Sequence, residues 1–381
     1  MKETWLRTDF ENCLEKVKYK NKIHSKDFKP NGLFPIVSQE KDYISGYWDN
    51  SEDLFKVDAP VIIFGDHTRV IKYIDFSFVL GADGVKILKP KPSIHPKFLY
   101  YFLLNVDLGN LGYARHYRLL KEIEISYPNT LNKQQLIVNI LDECFKAIDQ
   151  AKANTERNLK NARELFDSYL QGVFERRGDD WHEKKLGEIF DVRDGTHESP
   201  KYINKGFPLV TSKNLKDHRL VLDPIKYISE SDYININKRS KVDVGDVLFA
   251  MIGTIGNPVV VEDEPNYAIK NVALFKGNDN QSSNFLKYLL DSKLTKDKMI
   301  EDAKGTTQKF VGLGYLRSFP IFIPSLTKQQ AIVSQLDALR TETKKLESSF
   351  LEKMTDLDEL KKSILQKAFA GEISTDRAMT V

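Results

Sequence analysis

Cysteine is nearly absent from this chain, with only Cys13 and Cys144 among 381 residues. Two distant cysteines supply neither a disulfide framework nor a zinc quartet, and such usage is typical of a cytoplasmic protein. No apolar run approaches the ~18–20 residues of a membrane span, and the charged N-terminus lacks the apolar core of an export signal. The net charge is only +3, so nucleic acid would have to be bound by local patches.

Signatures of catalysis are missing as well. The sequence has no GxxxxGK(S/T) phosphate loop and no GxGxxG after a strand, and it has no (N/D)PP(Y/F) loop to grip a flipped adenine. None of the seven histidines forms a metal-ligand pair with another at helical spacing. We therefore predict a non-catalytic protein with no metal and no cofactor. Abundant Asp, Glu and Lys leave a PD…(D/E)xK nuclease open as an alternative.

What the chain does contain is one sequence that occurs twice, 195 residues apart. Residues 131–174 begin LNKQQLIVNILDECF and residues 326–369 begin LTKQQAIVSQLDALR. Without a gap, these two 44-residue segments agree at 14 positions. Solenoid repeats have periods of about 20–50 residues. This longer period therefore indicates a duplicated pair of large units, and a target that itself has two halves.

Both repeated segments are predicted to be long helices. Apolar or small side chains recur at steps of three and four residues over about five heptads, with one gap at the polar Lys152, and such a pattern is typical of a coiled-coil seam. At ~1.5 Å per residue, each helix would be roughly 66 Å long. Asn132 and Thr327 are predicted N-caps, because Gln135 and Gln330 follow at the spacing of a capping box. The predicted seam consists of Leu141, Phe145, Ile148, Thr155, Leu159, Ala162, Phe166, Tyr169 and Val173 in the first helix, and of Leu336, Leu339, Thr343, Leu346, Phe350, Met354, Leu357, Leu360, Ile364 and Ala368 in the second.

The regions outside the helices contain short strand-like runs broken by glycine, proline and aspartate. They resemble each other weakly and in the same order. The matching runs are FPIVS at 34–38 with FPLVT at 207–211, VDAPVIIFG at 57–65 with VDVGDVLFA at 242–250, GADGVKIL at 81–88 with AIKNVALF at 268–275, and GYARHY at 112–117 with GTTQKF at 305–310. We predict a globular domain at 1–128, a helix at 129–178, a second globular domain at 179–324 and a second helix at 325–381.

Loops in both globular domains concentrate the residue types that read DNA. Arg and Lys suit guanine edges and phosphates, Asn and Gln suit adenine, and Ser and Thr suit either. In the first domain the predicted DNA contacts are Ser38, Gln39, Lys41, His67, Thr68, Arg69, Arg115, His116, Tyr117 and Arg118. In the second they are Thr196, His197, Lys201, Tyr202, Thr211, Ser212, Lys213, Asn214, Thr254, Lys304, Thr306, Thr307, Gln308 and Lys309. We call the segments that contain these residues the reading loops, although any single one is also compatible with an ordinary solvated loop.

The alternation of two divergent globular domains with two KQQ-initiated helices resembles the specificity subunit of type I restriction–modification enzymes. The most specific parts are the two helices, with their LQGVF and LQKAF ends. Residues 61–88 and 181–215 resemble the cores of target recognition domains. The first domain departs from this pattern, since its opening, RTDFENCLEKVKYKN, lacks the LGEIFDVRDGTHESP sequence of the second.

This resemblance implies an α+β chain in which two target recognition domains are separated by two long antiparallel helices with pseudo-two-fold symmetry. It implies that each domain reads one half of a bipartite, asymmetric DNA site in double-stranded DNA. The helices would set the spacer and dock two methyltransferase subunits, which restriction/translocase subunits then join. We assign the partner contacts to Gln134, Gln135, Gln329 and Gln330. The alternatives are a non-catalytic coiled-coil adaptor that binds proteins, and an autonomous nuclease or methyltransferase.

Overall fold

The computed structural model describes residues 5–19, 21–109, 111–112, 114–306 and 308–373. The chain forms two compact units. The first consists of residues up to 156 together with those from 352 onward, and the second consists of residues 157–351. Each unit therefore contains one globular region and a part of each long helix. The α+β fold class predicted from the sequence is confirmed.

The first globular region is built from short strands and two short helices. Its elements are β1 (Trp5–Asp9), β2 (Leu14–Glu15), β3 (Phe34–Val37), β4 (Gly46–Trp48), β5 (Leu54–Phe55), β6 (Val61–Gly65), β7 (Ile71–Ile74), β8 (Phe78–Leu80), β9 (Val85–Pro90), α1 (Pro96–Asn105), α2 (Tyr117–Lys121) and β10 (Glu124–Pro128). The strands form the pair β1-β10 and two sheets, in the orders β2-β9-β6-β7 and β4-β3-β8-β5.

The first long helix, α3 (Leu131–Glu175), leads to the second globular region. The elements of that region are β11 (His182–Lys185), α4 (Leu186–Ile189), β12 (Val192–Asp194), β13 (Phe207–Val210), β14 (Leu215–Lys216), β15 (Arg219–Leu220), β16 (Lys226–Ile228), α5 (Glu230–Ser240), β17 (Val247–Ala250), β18 (Gly256–Val260), β19 (Ala268–Ile269), β20 (Val272–Phe275), α6 (Ser283–Asp291), α7 (Lys293–Glu301), α8 (Leu313–Ser318) and β21 (Pro320–Ile323). The second long helix, α9 (Leu326–Phe369), follows.

The two globular regions share one topology. The sheet β12-β20-β17-β18 corresponds to β2-β9-β6-β7, the sheet β16-β13-β19 corresponds to β4-β3-β8, and β11-β21 corresponds to β1-β10. In both regions the central strand has one antiparallel and one parallel neighbour, with β3 parallel to β8 and β13 parallel to β19. The weak matches between the runs FPIV and FPLV, and between VIIFG and VLFA, therefore mark equivalent strands.

Both long helices start close to the predicted residues, but their N-caps lie earlier than predicted. The carbonyl of Thr130 accepts the N–H of Gln134, and the carbonyl of Ser325 accepts that of Gln329. Because the cap residue's carbonyl accepts the first helical bond, the caps are Thr130 and Ser325. The prediction of Asn132 and Thr327 was wrong. Each helix start has two polar residues that could act as the cap, and the earlier one is used because the preceding strand ends at or next to a proline just upstream.

Within each unit, the parts of α3 and α9 pack antiparallel, since residue numbers fall in α9 as they rise in α3. The contacts that show this are Lys152–Asp358 and Asp149–Lys361 in the first unit, and Arg163–Glu347 and Tyr169–Gln335 in the second. Most of the predicted seam is buried or half-buried. Tyr169, Leu346 and Leu360 are exposed instead.

Residues shared by the two helices attach each helix to a globular region. Gln134 Oε1 accepts the His95 N–H at 2.7 Å, and its Nε2 donates to the carbonyls of Ser93 and Pro128, both at 3.0 Å. Gln329 Oε1 accepts the Ser282 N–H at 3.0 Å, and its Nε2 donates to the Gln281 side-chain oxygen at 2.8 Å and to the Pro324 carbonyl at 2.9 Å. Both glutamine side chains are fully buried. This corrects the partner contacts predicted for Gln134 and Gln329, because neither amide has surface to offer; Gln135 and Gln330 are exposed.

A second shared residue, the aspartate Asp142 or Asp337, accepts a hydrogen bond from a tyrosine of the globular region. The donors are Tyr101 on α1 and Tyr288 on α6. Burial raises the pKa of each tyrosine hydroxyl well above its ordinary value, and the hydrogen bond to the aspartate is the second largest cause. Each tyrosine therefore stays protonated and donates.

The phenylalanine that is shared near the C-terminal ends of the long helices makes a related contact. In the first unit the Phe369 ring lies 5.2 Å from Phe98 on α1, and in the second the Phe174 ring lies 5.6 Å from Phe285 on α6. Each short helix is thus held by the start of one long helix and the end of the other. Much of the repeated sequence is accounted for by this packing within the chain.

Candidate nucleic-acid interface

The reading loops follow the C-terminal ends of equivalent strands in the two globular regions. Residues 38–41 follow β3, and residues 211–214 follow its counterpart β13. Residues 67–69 come just after β6, and Thr254 comes after its counterpart β17. Because β3 is parallel to β8 and β13 is parallel to β19, the loops that follow the two strands of each pair emerge at one edge of their own sheet, where α/β sheets commonly bind ligands.

In the first unit the reading loops surround a polar cleft of about 630 Å³. Four predicted residues meet there, namely Ser38, Gln39, His67 and Arg115. The Gln39 side-chain oxygen accepts the His67 N–H at 3.2 Å, and the Gln39 carbonyl accepts the Thr68 hydroxyl at 2.6 Å. These two bonds tie one reading loop to the next and fix the shape of the cleft.

A buried lysine supports the first of these loops from below. Lys72 lies on β7, and its Nζ donates to the carbonyls of Ser38 at 2.9 Å and of Asp42 at 2.5 Å. Burial lowers the pKa of Lys72, although the charges of Asp42 and Glu40 oppose this change. The ammonium group therefore works as a multiple donor to loop carbonyls, and it is not accessible to a phosphate.

Two predicted contacts in the first unit are buried. His116 is fully buried; its Nε2 accepts the Leu111 N–H at 3.1 Å, which leaves Nδ1–H to donate to the Asp66 carbonyl at 3.0 Å. The Ser38 side chain is 2% exposed and its Oγ lies 2.7 Å from Ser45 Oγ. This corrects the predicted DNA contacts of these two side chains, because packing has used their polar atoms to hold the loops.

The remaining predicted cations of the first unit are accessible. Lys41, Arg69, Arg115 and Arg118 are exposed, as is Thr68. Arg69 has a left-handed backbone (φ 59°), and its Nη1 donates to the Leu108 carbonyl at 2.9 Å. Arg115 also lines the polar cleft, and exposed cations of this kind are suited to phosphate contacts.

Tyr117 is half-buried beside this group of cations. Its N–H donates to Asp66 Oδ1 at 2.7 Å, and the Nζ atoms of Lys86 and Lys121 lie 5.3 and 5.6 Å from its ring centre. Its ring also packs against Phe10 and Phe64. The Tyr117 ring therefore makes cation–π contacts with two lysines at the edge of the first reading surface.

In the second unit the reading loops surround a cleft of about 470 Å³. The predicted residues that line it are Tyr202, Thr211, Ser212, Lys213, Asn214 and Gln308. Apolar side chains, including Leu209 and Ile252, also line it. Lys226 Nζ lies 4.2 Å from the centre of the Tyr202 ring, a cation–π contact at the rim. A cleft with polar and apolar walls can contact both base edges and a thymine methyl group.

Asn214 supports the second cleft from within the protein. Its Oδ1 accepts from the Thr211 N–H and hydroxyl, both at 3.0 Å, and its Nδ2 donates to the Val221 carbonyl at 2.9 Å. The side chain is 7% exposed. This corrects its predicted base contact, because the amide is committed to closing the loop after β13.

His197 belongs to a hydrogen-bonded network at the edge of the second cleft. Its Nε2 lies 2.8 Å from Asp194 Oδ2, and its Nδ1 lies 2.8 Å from Asn271 Oδ1. Asp194 is buried and also pairs with Arg239 at the end of α5. The sequence predicted His197 but none of these three partners, because the network forms only when the separate segments that contain them fold together.

The other predicted residues of the second unit lie on the surface. Lys201, Thr254, Lys304, Thr306, Gln308 and Lys309 are exposed, and Thr196 is half-buried. Lys309 Nζ donates to the Ile300 carbonyl at 3.2 Å. Thr307 lies outside the described residues. The DNA contacts of this group stay predictions.

The residues that sequence reasoning missed are supporting ones: Asp66 and Lys72 in the first unit, and Asp194, Arg239 and Asn271 in the second. Lys72 and Asp194 are buried charges on strands, and in the sequence alone such residues cannot be distinguished from surface charges. Within the described part of the chain, no cluster of three His, Cys, Asp or Glu side chains is placed to hold a metal ion. No described helix has the length and apolarity to cross a membrane.

Comparison with known proteins agrees with this architecture. A family model described as the type I restriction modification DNA specificity domain matches residues 14–160 and again residues 178–355. In Escherichia coli, the type I restriction enzyme EcoR124I/EcoR124II specificity subunit is 24% identical over 345 residues, covering 84% of this chain and 83% of that relative. The EcoBI specificity subunit of Escherichia coli is 22% identical over 365 residues, covering 86% and 75%.

Solved structures share the fold. The HsdS subunit from Thermoanaerobacter tengcongensis matches with a TM-score of 0.59 at 17% identity, over 97% of each chain. A chain from a structure on complex assembly and conformational transition of the type I R-M system matches with a TM-score of 0.72 at 18% identity, over 97% of this chain and 98% of that one.

Two copies of one recognition fold, each with diverged loops and attached to a pair of long helices, define a class of DNA-specificity proteins. The chain belongs to the type I restriction–modification DNA specificity family. Within that family it is a specificity subunit with two target recognition domains, which is the main function that the sequence predicted.

Proposed function

We propose that each recognition domain reads one half of a bipartite, asymmetric target in double-stranded DNA. The observation that carries this proposal is that equivalent strands end in reading loops with different side chains. The loop after β3 has the sequence SQEK, whereas the loop after its counterpart β13 has TSKN. Two domains that share a topology but differ in their loop residues are suited to bind two different half-sites in equivalent orientations.

Selection from a randomised DNA duplex library tests this proposal, because the library contains every short target sequence. We expect the full-length chain, alone or assembled with a modification subunit, to enrich two short fixed sequences separated by a spacer of constant length. Binding should weaken as salt rises, because phosphate contacts release counterions. Recovery of a single contiguous site, or of no enriched sequence in either form, would contradict the proposal.

We further propose that the chain supplies no catalytic group and acts in the cytoplasm, with methyl transfer performed by two modification subunits and cleavage by restriction subunits that join them. The absent signatures of cofactor binding in the sequence support this division of labour. Incubation of the purified chain with DNA and labelled S-adenosylmethionine should leave the DNA unlabelled. Addition of a modification subunit should label adenines within the selected sequence, and label without that subunit would contradict the proposal.

The long helices offer a surface for these partners that occurs in both copies. Leu165 and Leu360 occupy the same position in the repeat, and they are 51% and 47% exposed. The glutamate before each leucine, Glu164 or Glu359, is shared and exposed as well. Packing within the chain explains why the buried residues are shared, but it does not explain why an exposed leucine is shared. Two identical surfaces are what two copies of one partner subunit require.

Leucine-to-serine replacements on these two surfaces should separate the partner-binding events. We expect Leu165→Ser or Leu360→Ser to weaken binding of one modification subunit by about tenfold, since the loss of a buried leucine side chain costs about 1.5–3 kcal/mol. Analytical ultracentrifugation with a modification subunit should then show a one-to-one complex where the unaltered chain forms a one-to-two complex.

The double variant should bind neither partner subunit tightly and should keep its fold. Leu351→Ser provides the matched control, because Leu351 is equally exposed (50%) and its repeat counterpart is Glu156. Equal losses from Leu351→Ser and Leu165→Ser would show that exposure alone, and not the repeated position, matters for binding.

A further inference from the structure

We propose that Asn271 is a positioning residue that determines how the second domain reads its half-site. This inference rests on the proposed DNA-reading function and adds a residue that no sequence pattern marked. Asn271 lies at the turn between β19 and β20, and it lines the second cleft. Its backbone is left-handed, with φ 53°, a conformation that asparagine adopts more readily than most other side chains.

The backbone of Asn271 joins two reading loops. Its N–H donates to the Thr196 carbonyl at 3.1 Å, and its carbonyl accepts the Ser212 hydroxyl at 3.1 Å. Thr196 and Ser212 belong to the segments at 196–202 and 211–214, which both lie far from Asn271 in the sequence. One residue therefore sets the separation between the two loops that form most of the second reading surface.

The side chain of Asn271 adds a third connection, to His197. Its Oδ1 lies 2.8 Å from His197 Nδ1, and the other ring nitrogen lies 2.8 Å from Asp194. An amide can present either its oxygen or its NH₂ group, so it can pair with Nδ1 in either tautomer of the ring. Both nitrogens of His197 are thus paired with other side chains of the domain, although the ring is exposed. The His197 ring orients its loop, and bases are left to the neighbouring side chains.

The first domain has glycine at the equivalent position. Gly84 also has a left-handed backbone (φ 72°), so the chain passes through a left-handed residue at this position in both domains. A Cβ atom on Gly84 would lie 2.7 Å from His67 Cδ2 and 2.8 Å from Gln39 Oε1. In the first domain, the side chains of His67 and Gln39 therefore pack against the turn. In the second domain, the Asn271 side chain at the turn instead contacts His197 of the loop. The two reading surfaces therefore differ in how this turn is linked to the loops around it.

The variant Asn271→Gly tests the inference, because glycine keeps the left-handed turn and both backbone bonds while removing the amide. We expect selection from the randomised duplex library to give an unchanged first half-site and a degraded second half-site. Discrimination against single-base changes in the second half-site should fall about tenfold, within the usual cost of one mismatched base pair. The unchanged first half-site is an internal control for folding and for DNA binding in general.

Two further variants distinguish positioning from a general structural role. Asn271→Asp keeps an acceptor oxygen at the same place and should restore part of the lost discrimination. His197→Ala should lower discrimination as Asn271→Gly does, and the double variant should lose no more than either single one, as expected when both residues act as one unit. An unchanged second half-site with Asn271→Gly, or fully additive losses, would overturn the inference. Failure of the unaltered chain to select a bipartite site would instead defeat the proposed function.

Discussion

Replacement of Gln329 by leucine should lower the free energy of unfolding of the second unit by about 3–5 kcal/mol, because each buried polar group left without a partner costs about 1–3 kcal/mol. Gln329 is fully buried and pairs with the Ser282 N–H, the Gln281 side chain and the Pro324 carbonyl. Leucine has a similar size, but it can neither accept from Ser282 nor donate to Pro324. The N-terminus of α6 would then lose its attachment to α9.

Hydrogen exchange resolved by mass spectrometry is the suitable measurement, since a chain of two units does not unfold in a single two-state step. Peptides that contain the Ser282 amide should exchange at least about a hundredfold faster in Gln329→Leu, as a change of about 3 kcal/mol implies. Gln330→Leu is the matched control, because the neighbouring side chain is exposed and surface changes usually stay within about 0.5 kcal/mol.

Comparison of Gln329→Leu with Gln330→Leu also tests whether the first glutamine of the repeated KQQ sequence has a structural role or binds a partner. If its first glutamine served a partner, Gln329→Leu would leave exchange unchanged and would weaken only the binding of that partner. The structure predicts the opposite, and Gln134→Leu should repeat the result in the first unit with Gln135→Leu as its control. The first glutamine of the pair would then be a structural residue, and the second would remain a candidate for partner binding.

The repeated segments 131–174 and 326–369 form the two long helices, α3 and α9, as expected, because a 3.6-residue apolar period sustained over about 44 residues has few other solutions. The sequence also predicted the equivalent strands, since matching runs in the same order imply matching partners in the sheet. The N-caps of both long helices were assigned wrongly, because two polar residues at each helix start could act as the cap. Leu346 and Leu360 were assigned to the seam from their spacing alone, and both are exposed.

Within the candidate site, the sequence located loops better than it assigned side chains. Ser38, His116 and Asn214 are residue types that read DNA, but the same hydrogen-bonding groups are equally able to close a loop from inside. Which role they take depends on burial, and burial is set by segments far away in the sequence. Asn271 was missed for a related reason, since its left-handed backbone and its contact with His197 exist only after the sheet has formed.

Lengthening both long helices by one heptad should move the preferred spacer and leave both half-sites unchanged. The boundary between the two units falls between Glu156 and Arg157 in α3, and between Leu351 and Glu352 in α9. Seven residues inserted at both places add about 10.5 Å of helix, close to three base pairs at ~3.4 Å each. Seven residues also come within about 20° of two full turns, so each unit keeps its own helix faces in register.

Library selection with the lengthened chain should recover the same two half-sites with a spacer about three base pairs longer. Affinity for the original spacing should fall by about a hundredfold or more, because two linked sites lose their avidity when geometry forbids simultaneous binding.

An insertion of four residues in both helices would turn the helix faces by about 40° and should shift the spacer with a larger loss of affinity. An insertion in α3 alone should destabilise the chain, since the Lys152–Asp358 and Arg163–Glu347 contacts could no longer both form. A change in the selected half-sites, or an unchanged spacer, would show that the long helices do not set the distance between the two readers.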